Sequence, residues 1–482
     1  MIFNSLNFVY FIVPVLFFYW YVFNKKTASQ NIFLLISSLF FYAFADWRFL
    51  ILLIVSIFIN YYLGLKIRYT KKERTQRHFL YFGLIFNISL LLYFKYFNFF
   101  YEGFVQILNI FGDISSYNTL SILIPLGISF FTFQTLGYLI DVYNEEVEPS
   151  NNILEFSLFV SYFPKILSGP IERASKMMPQ IREKRNLSYN VFVDGLRQIL
   201  WGLFAKIVIA ENCSVIVNPI FDNYKNEAGI TLLIGALFYA IQLYADFSGY
   251  SNMAIGVSKL FGIKLMRNFS TPFFSTNISD YWRKWHISLT TWMMDFVFTP
   301  LSFSLRSYKK RGLAISIITT FILVGFWHGP NWTFIVYGLL HGLYFLPLVY
   351  SEKMNTSQVL SKGKHFPNFK EFLKMVSLFF LVAFTDVFFR SNNLKSAFEY
   401  IFNIFNLSDN YYNSQIISTS QLLKTICITL FFFTIEWVNK EKDHDFQIGS
   451  YHKYVRWGLY YFIFILIISI SRSSDNFIYF KF

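Results

Sequence analysis

The chain has 482 residues, of which 55% are hydrophobic and only 15% are charged, whereas about 25% of a typical soluble domain is charged. This composition excludes an ordinary soluble protein and indicates a chain embedded in a lipid bilayer. The net charge of +14 would suggest nucleic-acid binding in a soluble protein. Here the basic residues lie mostly in short loops between apolar runs, where they set membrane topology, so no nucleic-acid partner is expected.

Apolar runs recur along the whole chain, and many approach the roughly 20 residues that a helix needs to cross a bilayer. They predict helices at 3–23, 31–46, 49–65, 79–101, 119–141, 153–168, 191–210, 229–247, 314–328, 332–350, 373–389, 421–438 and 455–471. The first run lacks a preceding basic segment and an A-x-A cleavage site, so we expect a retained span and not a signal peptide.

Helix-breaking residues lie in or directly after the fifth and sixth of these runs, namely Pro125, Gly127, Pro164, Gly169 and Pro170. They predict broken or re-entrant helices. Irregular backbone at membrane depth is tolerated only against protein or a water-filled cavity. The breaks therefore favour an internal passage.

Early positive charge follows the first and third runs. Lys25 and Lys26 follow the first, and six basic residues stand between positions 66 and 77. The positive-inside rule puts these loops in the cytoplasm and the N-terminus on the extracytoplasmic side of the inner (cytoplasmic) membrane. Since no polar stretch is long enough to bury a core of its own, we expect residues 1–482 to form one multi-pass membrane domain.

Ionisable residues inside a membrane are costly, so each is a candidate functional residue. In FILVGFWHGPNWTFIVYGLLHG (321–342), His328 ends an apolar run and Gly329-Pro330 breaks the helix directly after it. An imidazole ordinarily titrates near neutral pH and suits proton transfer. The alternative is an interfacial histidine between Trp327 and Trp332, as part of an aromatic belt.

His286 is the second candidate. It lies in an amphipathic stretch with Trp282, Arg283, Lys284 and Trp285. A basic, aromatic helix at the membrane interface is the alternative account, but it leaves the carboxylates of Asp246 and Asp280, beside apolar runs, unexplained.

A third group of polar residues lies between positions 125 and 173, at Gln134, Asp141, Lys165, Glu172 and Arg173. Helix breaks and interface charges account for most of it. The remaining histidines, His78, His365, His444 and His452, lie in polar segments and are expected to be solvated. His286 and His341 stand 42 residues before and 13 after His328, unlike a compact metal motif such as H-E-x-x-H, so no metal site is expected.

Six segments, read together, resemble the membrane-bound O-acyltransferase family, most strongly its bacterial branch of alginate O-acetyltransferase membrane subunits and teichoic-acid D-alanyl transfer proteins. They are PLGISFFTFQTLGYLIDVY (125–143), FPKILSGPIER (163–173), DFSGYSNMAIGVSKLFGIKL (246–265), YWRKWHISLTTWMMDFVFTPL (281–301), GFWHGPNWTFIVYGLLHG (325–342) and VFFRSNNLKSAFEYIF (387–402). They follow the family order within a motif-bearing core of about 120–402. The chain departs from the alginate type after Pro300-Leu301, where SFSLRSYKKRG replaces an expected pair of glycines.

The resemblance implies an all-α polytopic membrane protein, with roughly 11–13 spanning or re-entrant helices in a ring around a central tunnel. It also implies that His328 is the catalytic residue and that His286 is a second functional residue in the same passage. No permanently bound cofactor is implied. Substrate-binding residues are not identified.

The implied activity is transfer of an acyl group, most simply acetyl, from a cytoplasmic thioester to hydroxyls of an exported polysaccharide. The donor would be acetyl-CoA or an acyl carrier protein. An extracytoplasmic SGNH-hydrolase-like protein is the expected partner. D-alanyl transfer toward teichoic acid is the nearer alternative, and a non-enzymatic transporter or channel is the distant one.

Overall fold

A computed structural model describes residues 1–110, 120–354, 366–406 and 417–470. Over these ranges the regular structure is helical and contains no strand. The chain divides into two compact units, the first made of residues 1–196 and 254–266 and the second of residues 197–253 and the described residues from 267 onward.

Nine helices lie wholly in the first unit: α1 (Leu6–Phe17), α2 (Thr27–Ala45), α3 (Arg48–Tyr69), α4 (Glu73–Leu91), α5 (Phe97–Leu108), α6 (Ile128–Tyr143), α7 (Ile153–Ser161), α8 (Phe163–Ile166) and α9 (Ala174–Arg182). A buried polar cluster joins three of them. Asn60 of α3 and Asn87 of α4 exchange amide hydrogen bonds of 3.2 and 2.7 Å, and Thr135 of α6 donates to Asn87. Such polar contacts hold apolar helices together where water is absent.

The predicted helix breaks are present in the first unit. Helix α6 begins after Gly127, whose φ of 74° favours glycine, and α7 has only nine residues before the chain turns at Tyr162. Helix α8 is a single turn with Pro164 near its start. The runs predicted at 119–141 and 153–168 are thus short, interrupted helices, although residue 119 lies outside the described residues.

Two helices contribute residues to both units, α10 (Tyr189–Leu203) and α12 (Gly229–Leu260). The others lie in the second unit: α11 (Glu211–Asp222), α13 (Ile278–Lys284), α14 (Ile287–Met293), α15 (Thr299–Ser304), α16 (Lys309–His328), α17 (Trp332–Tyr344), α18 (Leu346–Tyr350), α19 (Phe369–Arg390), α20 (Leu394–Ile404), α21 (Thr419–Val438) and α22 (Lys453–Ile470). Short π-helical segments continue α1, precede α5 and α15, and join α10 to α11.

Ten helical segments of the described residues are long and apolar enough to cross a membrane. They are Thr27–Ala45, Arg48–Tyr69, Glu73–Leu108, Tyr189–Asp222, Gly229–Leu260, Arg306–His328, Trp332–Tyr350, Phe369–Arg390, Thr419–Val438 and Lys453–Ile470, with Leu6–Val22 as a shorter apolar helix. Each matches a predicted run, so the expectation of an all-α polytopic chain is confirmed.

Several helices extend beyond the predicted runs. Helix α12 continues 13 residues past the predicted end at 247, and its continuation includes the buried polar residues Ser248, Ser251 and Asn252. Polar side chains are tolerated there because they face protein and not lipid. The apolar run in the sequence therefore ends before the helix does.

Candidate active site

His328 is the last residue of α16, where the chain turns sharply into α17. Gly329 is extended, and the Asn331 side chain caps α17 by accepting a 3.0 Å hydrogen bond from the backbone N–H of Thr333. Asn331 also donates from Nδ2 to the carbonyl oxygen of Asn392 at 2.8 Å. The Gly-Pro-Asn turn is therefore a fixed connection that sets where His328 lies.

Close packing of α16 against α17 fixes the same histidine from the other side. An added Cβ on Gly325 would lie 2.1 Å from the carbonyl oxygen of Phe334, and one on Gly338 would lie 2.1 Å from that of Phe321. Only glycine permits so close an approach of two helix backbones. The helix pair thus holds His328 through backbone contact.

Aromatic rings surround the His328 imidazole, which is 3% exposed. Its ring centroid lies 5.0 Å from that of Phe389 on α19, 5.1 Å from Trp327 and 6.1 Å from Tyr337 on α17. Trp327 is also buried, whereas Trp332 is exposed. The aromatic-belt alternative is therefore wrong for His328, because its neighbours enclose it within the protein.

His286 connects α13 to α14 and is fully buried. Its backbone is left-handed (φ 43°, ψ 53°), a conformation that costs a residue with a Cβ about 1–2 kcal/mol. Its ring packs 4.7 Å from Phe247 of α12 and 5.6 Å from Trp327. Trp282 and Trp285 are buried too, so the interfacial-helix account of this stretch is wrong.

The second unit brings the two predicted histidines together. The ring centroids of His286 and His328 are 6.4 Å apart, and the indole of Trp327 contacts both rings. They are 42 residues apart in sequence, one in the connection between α13 and α14 and the other at the end of α16. A substrate atom between them would be in reach of both imidazoles. Their catalytic roles remain predictions.

His341 is a third buried histidine near this site, and sequence patterns assigned it no role. It is 0% exposed, its Nδ1 accepts a 3.3 Å hydrogen bond from the indole N–H of Trp282, and its ring lies 4.6 Å from Tyr337, which also packs on His328. The antiparallel return of α17 creates this proximity. Within the described residues, no three His, Cys, Asp or Glu side chains form a group suited to a metal ion.

Asp386 is a second buried ionisable residue near the site that the sequence patterns did not single out. It lies on α19 one turn before Phe389, the ring against His328, and is 1% exposed. Neither carboxyl oxygen has a hydrogen-bond partner among the described residues. A signal was available in the sequence, because Asp386 is an acidic residue near the end of an apolar run.

The carboxylates that the sequence left unexplained have partners. Asp246 of α12 forms a buried ion pair with Lys206, and Asp280 accepts a 2.8 Å hydrogen bond from Lys284 one turn later. Buried charges in proteins are ordinarily paired in this way. Both carboxylates therefore have a structural explanation that needs no substrate.

The third polar group lies in the first unit and forms separate structural contacts. Lys165 donates to the side-chain oxygen of Gln134, and Arg173 pairs with Asp141 at 3.3 Å. Glu172 accepts a backbone N–H bond from Met266, and burial raises the pKa of its carboxyl above the usual range. These contacts give the group a structural explanation. Lys165 and Glu172 are nevertheless buried within the protein, so the expectation of interface charges is wrong for them.

The outcome differs among the four histidines expected to be solvated. His78 and His452 are exposed, and His365 lies outside the described residues. The prediction was wrong for His444, which is 1% exposed because its loop folds back and its Nδ1 accepts a 3.3 Å bond from the N–H of Phe446.

Comparison with known proteins identifies the family to which the chain is similar. The sequence profile of the membrane-bound O-acyltransferase family matches residues 146–385, a range that contains both candidate histidines. The chain is 36% identical to the peptidoglycan O-acetyltransferase of Helicobacter pylori over 427 residues, which cover 82% of this chain and 78% of that protein.

Two further relatives come from the branch that the motifs indicated. The probable alginate O-acetylase AlgI of Pseudomonas aeruginosa is 33% identical over 402 residues, covering 82% of this chain and 73% of the relative. The teichoic acid D-alanyltransferase of Streptococcus thermophilus is 34% identical over 236 residues, covering 47% and 57%. The predicted resemblance is confirmed, and a multi-pass membrane enzyme replaces the transporter alternative: the chain belongs to the membrane-bound O-acyltransferase family and is an acyltransferase.

Proposed function

We propose that the chain transfers an acetyl group from a cytoplasmic thioester, acetyl-CoA or an acyl carrier protein, to hydroxyls of an exported cell-envelope polysaccharide. The observation that carries the proposal is the 6.4 Å separation of the buried His286 and His328 rings. A hydroxyl is a poor nucleophile at neutral pH and needs a base at hydrogen-bond distance. Two imidazoles so close together supply a base and a second polar group for one reacting centre.

His328 is the general base in this proposal. It takes the proton of the acceptor hydroxyl as the oxygen attacks the thioester carbonyl and the new C–O bond forms. The C–S bond then breaks, and the imidazolium returns the proton to the departing thiolate, so the histidine ends neutral. General base catalysis of this kind contributes roughly 10²–10⁴-fold to a rate.

His286 stabilises the oxyanion that develops on the thioester carbonyl, by donating an N–H to it. A donor aimed at this charge is most effective where water is excluded, and the rings of Phe247 and Trp327 exclude water from His286. The same dry surroundings would limit hydrolysis of the acyl group.

Acetyl is favoured over D-alanyl as the transferred group because the O-acetyl-transferring relatives match a larger share of this chain. The two relatives named for O-acetyl transfer each cover 82% of this chain, whereas the D-alanyltransferase covers 47%. D-alanyl transfer from a carrier protein remains the second candidate, and the similarity to the teichoic acid D-alanyltransferase supports it. Peptidoglycan and alginate are glycan polymers, which supports a polysaccharide acceptor, reached directly or through an extracytoplasmic SGNH-hydrolase-like protein.

The early basic loops support a setting in the cytoplasmic membrane with the N-terminus outside. In that orientation the donor would reach the site from the cytoplasm and the acceptor from the other side.

A His328→Asn variant tests the proposal, with His452→Asn as the matched control because His452 is exposed and outside the site. We expect His328→Asn to lower the ester content of the envelope glycans at least 100-fold, while the amount of protein in the membrane and its melting temperature stay near those of the control. Growth on ¹³C-acetate or labelled D-alanine, followed by mass spectrometry of the esters, identifies the group transferred. Wild-type ester content in the variant would refute the role of His328, and a label from D-alanine alone would select the second candidate.

A further inference from the structure

The backbone of His286 is held by a short segment that has no catalytic group of its own. Residues 268–270 run beside 284–287: the N–H of Ser270 donates to the carbonyl oxygen of Lys284 at 2.9 Å, and the N–H of Ile287 donates to that of Asn268 at 2.8 Å. These two bonds bracket His286 on either side. They account for the persistence of its left-handed conformation, which is strained for a residue with a Cβ.

The Asn268 side chain adds a second hold on the same turn. Its Oδ1 accepts the backbone N–H of Ser288 at 3.2 Å and the Ser288 hydroxyl at 2.9 Å. Its Nδ2 donates to the hydroxyl of Ser251 on α12 at 3.1 Å. All three side chains are buried. Asn268 therefore ties the first turn of α14 to α12 through both ends of one amide.

The hydrogen bonds of Asn268 lie next to the aromatic contacts that Phe247 and Phe269 make with the His286 ring. Phe247, whose ring packs on His286, lies one helical turn before Ser251 on the same face of α12. Phe269, next to Asn268, stacks on the His286 ring with centroids 6.3 Å apart. Loss of the tie would let α14 shift relative to α12 and change where the imidazole points.

We propose that Asn268 is a positioning residue for the acyl transfer reaction, holding His286 in register with His328 through the Ser251–Asn268–Ser288 tie. This inference rests on the proposed function for its effect on catalysis, but not for its effect on the conformation of His286. Asparagine suits the role because its side chain offers a carbonyl acceptor and an amide donor at once.

The test compares Asn268→Ala with Asn439→Ala in the purified full chain in lipid nanodiscs. Asn439 is a matched control because it is buried in the same unit and its amide likewise serves as donor and acceptor: it donates to the carbonyl oxygen of Ile435 and accepts from the hydroxyl of Tyr451. Carbethoxylation of each histidine by diethyl pyrocarbonate is followed by peptide mass spectrometry. This readout needs no acyl donor and no acceptor.

For Asn268→Ala we expect the modification rate of His286 to rise at least tenfold while those of His341 and His444 stay unchanged. In cells that carry the same variant, the ester content of the envelope glycans should fall about 10- to 100-fold, since a displacement near 1 Å can cost about 100-fold. Asn439→Ala should alter neither readout. A parallel rise at all buried histidines, or an unchanged rate at His286, would overturn the positioning role. If His286 alone becomes reactive but ester content is unchanged, the positioning of the ring holds and its part in the reaction is refuted, together with the oxyanion role of His286.

Discussion

Replacing Gly338 by alanine should displace His328 without touching it. The added Cβ would lie 2.1 Å from the carbonyl oxygen of Phe321, about 0.9 Å inside the 3.0 Å that real Cβ contacts respect. The obstructing atom is helix backbone and cannot rotate away. Helices α16 and α17 must therefore separate by about that distance, and His328 ends one of them.

The expected cost has two parts. Overpacking destabilises a core by about 1–3 kcal/mol, partly offset by the roughly 1 kcal/mol that alanine gains over glycine in a helix. The effect on the reaction is larger, because misplacing a catalytic group by about 1 Å can cost about 100-fold. A small loss of stability should thus accompany a large loss of activity.

Gly458→Ala is the matched control, since it is also a glycine within a helix of the second unit and its added Cβ would meet nothing within 4 Å. Melting temperature in detergent and ester content of envelope glycans are measured for both variants. The control should match the wild type or melt slightly higher. If Gly338→Ala keeps full ester content, the close α16–α17 contact does not determine the position of His328.

Two further predictions concern buried charges of the second unit. Lys206→Met removes the cation paired with Asp246 and should destabilise the protein by about 3–5 kcal/mol. The double variant, Lys206→Met with Asp246→Leu, should recover most of that loss because no charge is left unpaired. Equal melting temperatures of the single and double variants would contradict this. Asp386→Leu removes a buried carboxyl that lacks a hydrogen-bond partner among the described residues, so it should raise the free energy of unfolding by about 1–3 kcal/mol. A lower melting temperature of this variant would show that the carboxyl has a partner or a role in folding.

Features of the site that depend on local sequence could be predicted. His328 was identified because Gly329-Pro330 must end a helix, and that rule involves only adjacent residues. The short α7 and α8 followed in the same way from Pro164, Gly169 and Pro170. Most spans were found because apolar runs of about 20 residues have few alternatives to a membrane helix.

Features that depend on packing could not be predicted this way. His341 comes near the site only because α17 returns along α16, and Asp386 is part of its surroundings only because Phe389 of the same helix packs on the His328 ring. The burial of His444 depends on a loop folding back onto the protein. For the first two residues the decisive contacts, Trp282 with His341 and Phe389 with His328, join residues far apart in sequence. The local sequence pattern around each of these residues is the same as that of a solvated side chain.

The two histidines are held by different physical means, and this follows from their surroundings. His328 is fixed by close backbone packing of two helices in a mainly apolar environment, where Gly325 and Gly338 remove the side chains that would separate them. His286 lies outside any long helix, so its strained backbone depends on the hydrogen bonds that Asn268 accepts from Ile287 and Ser288. Glycine contacts and a buried amide are thus two solutions to the same problem, which is to keep two imidazoles 6.4 Å apart where no water can compensate for a misplaced polar group.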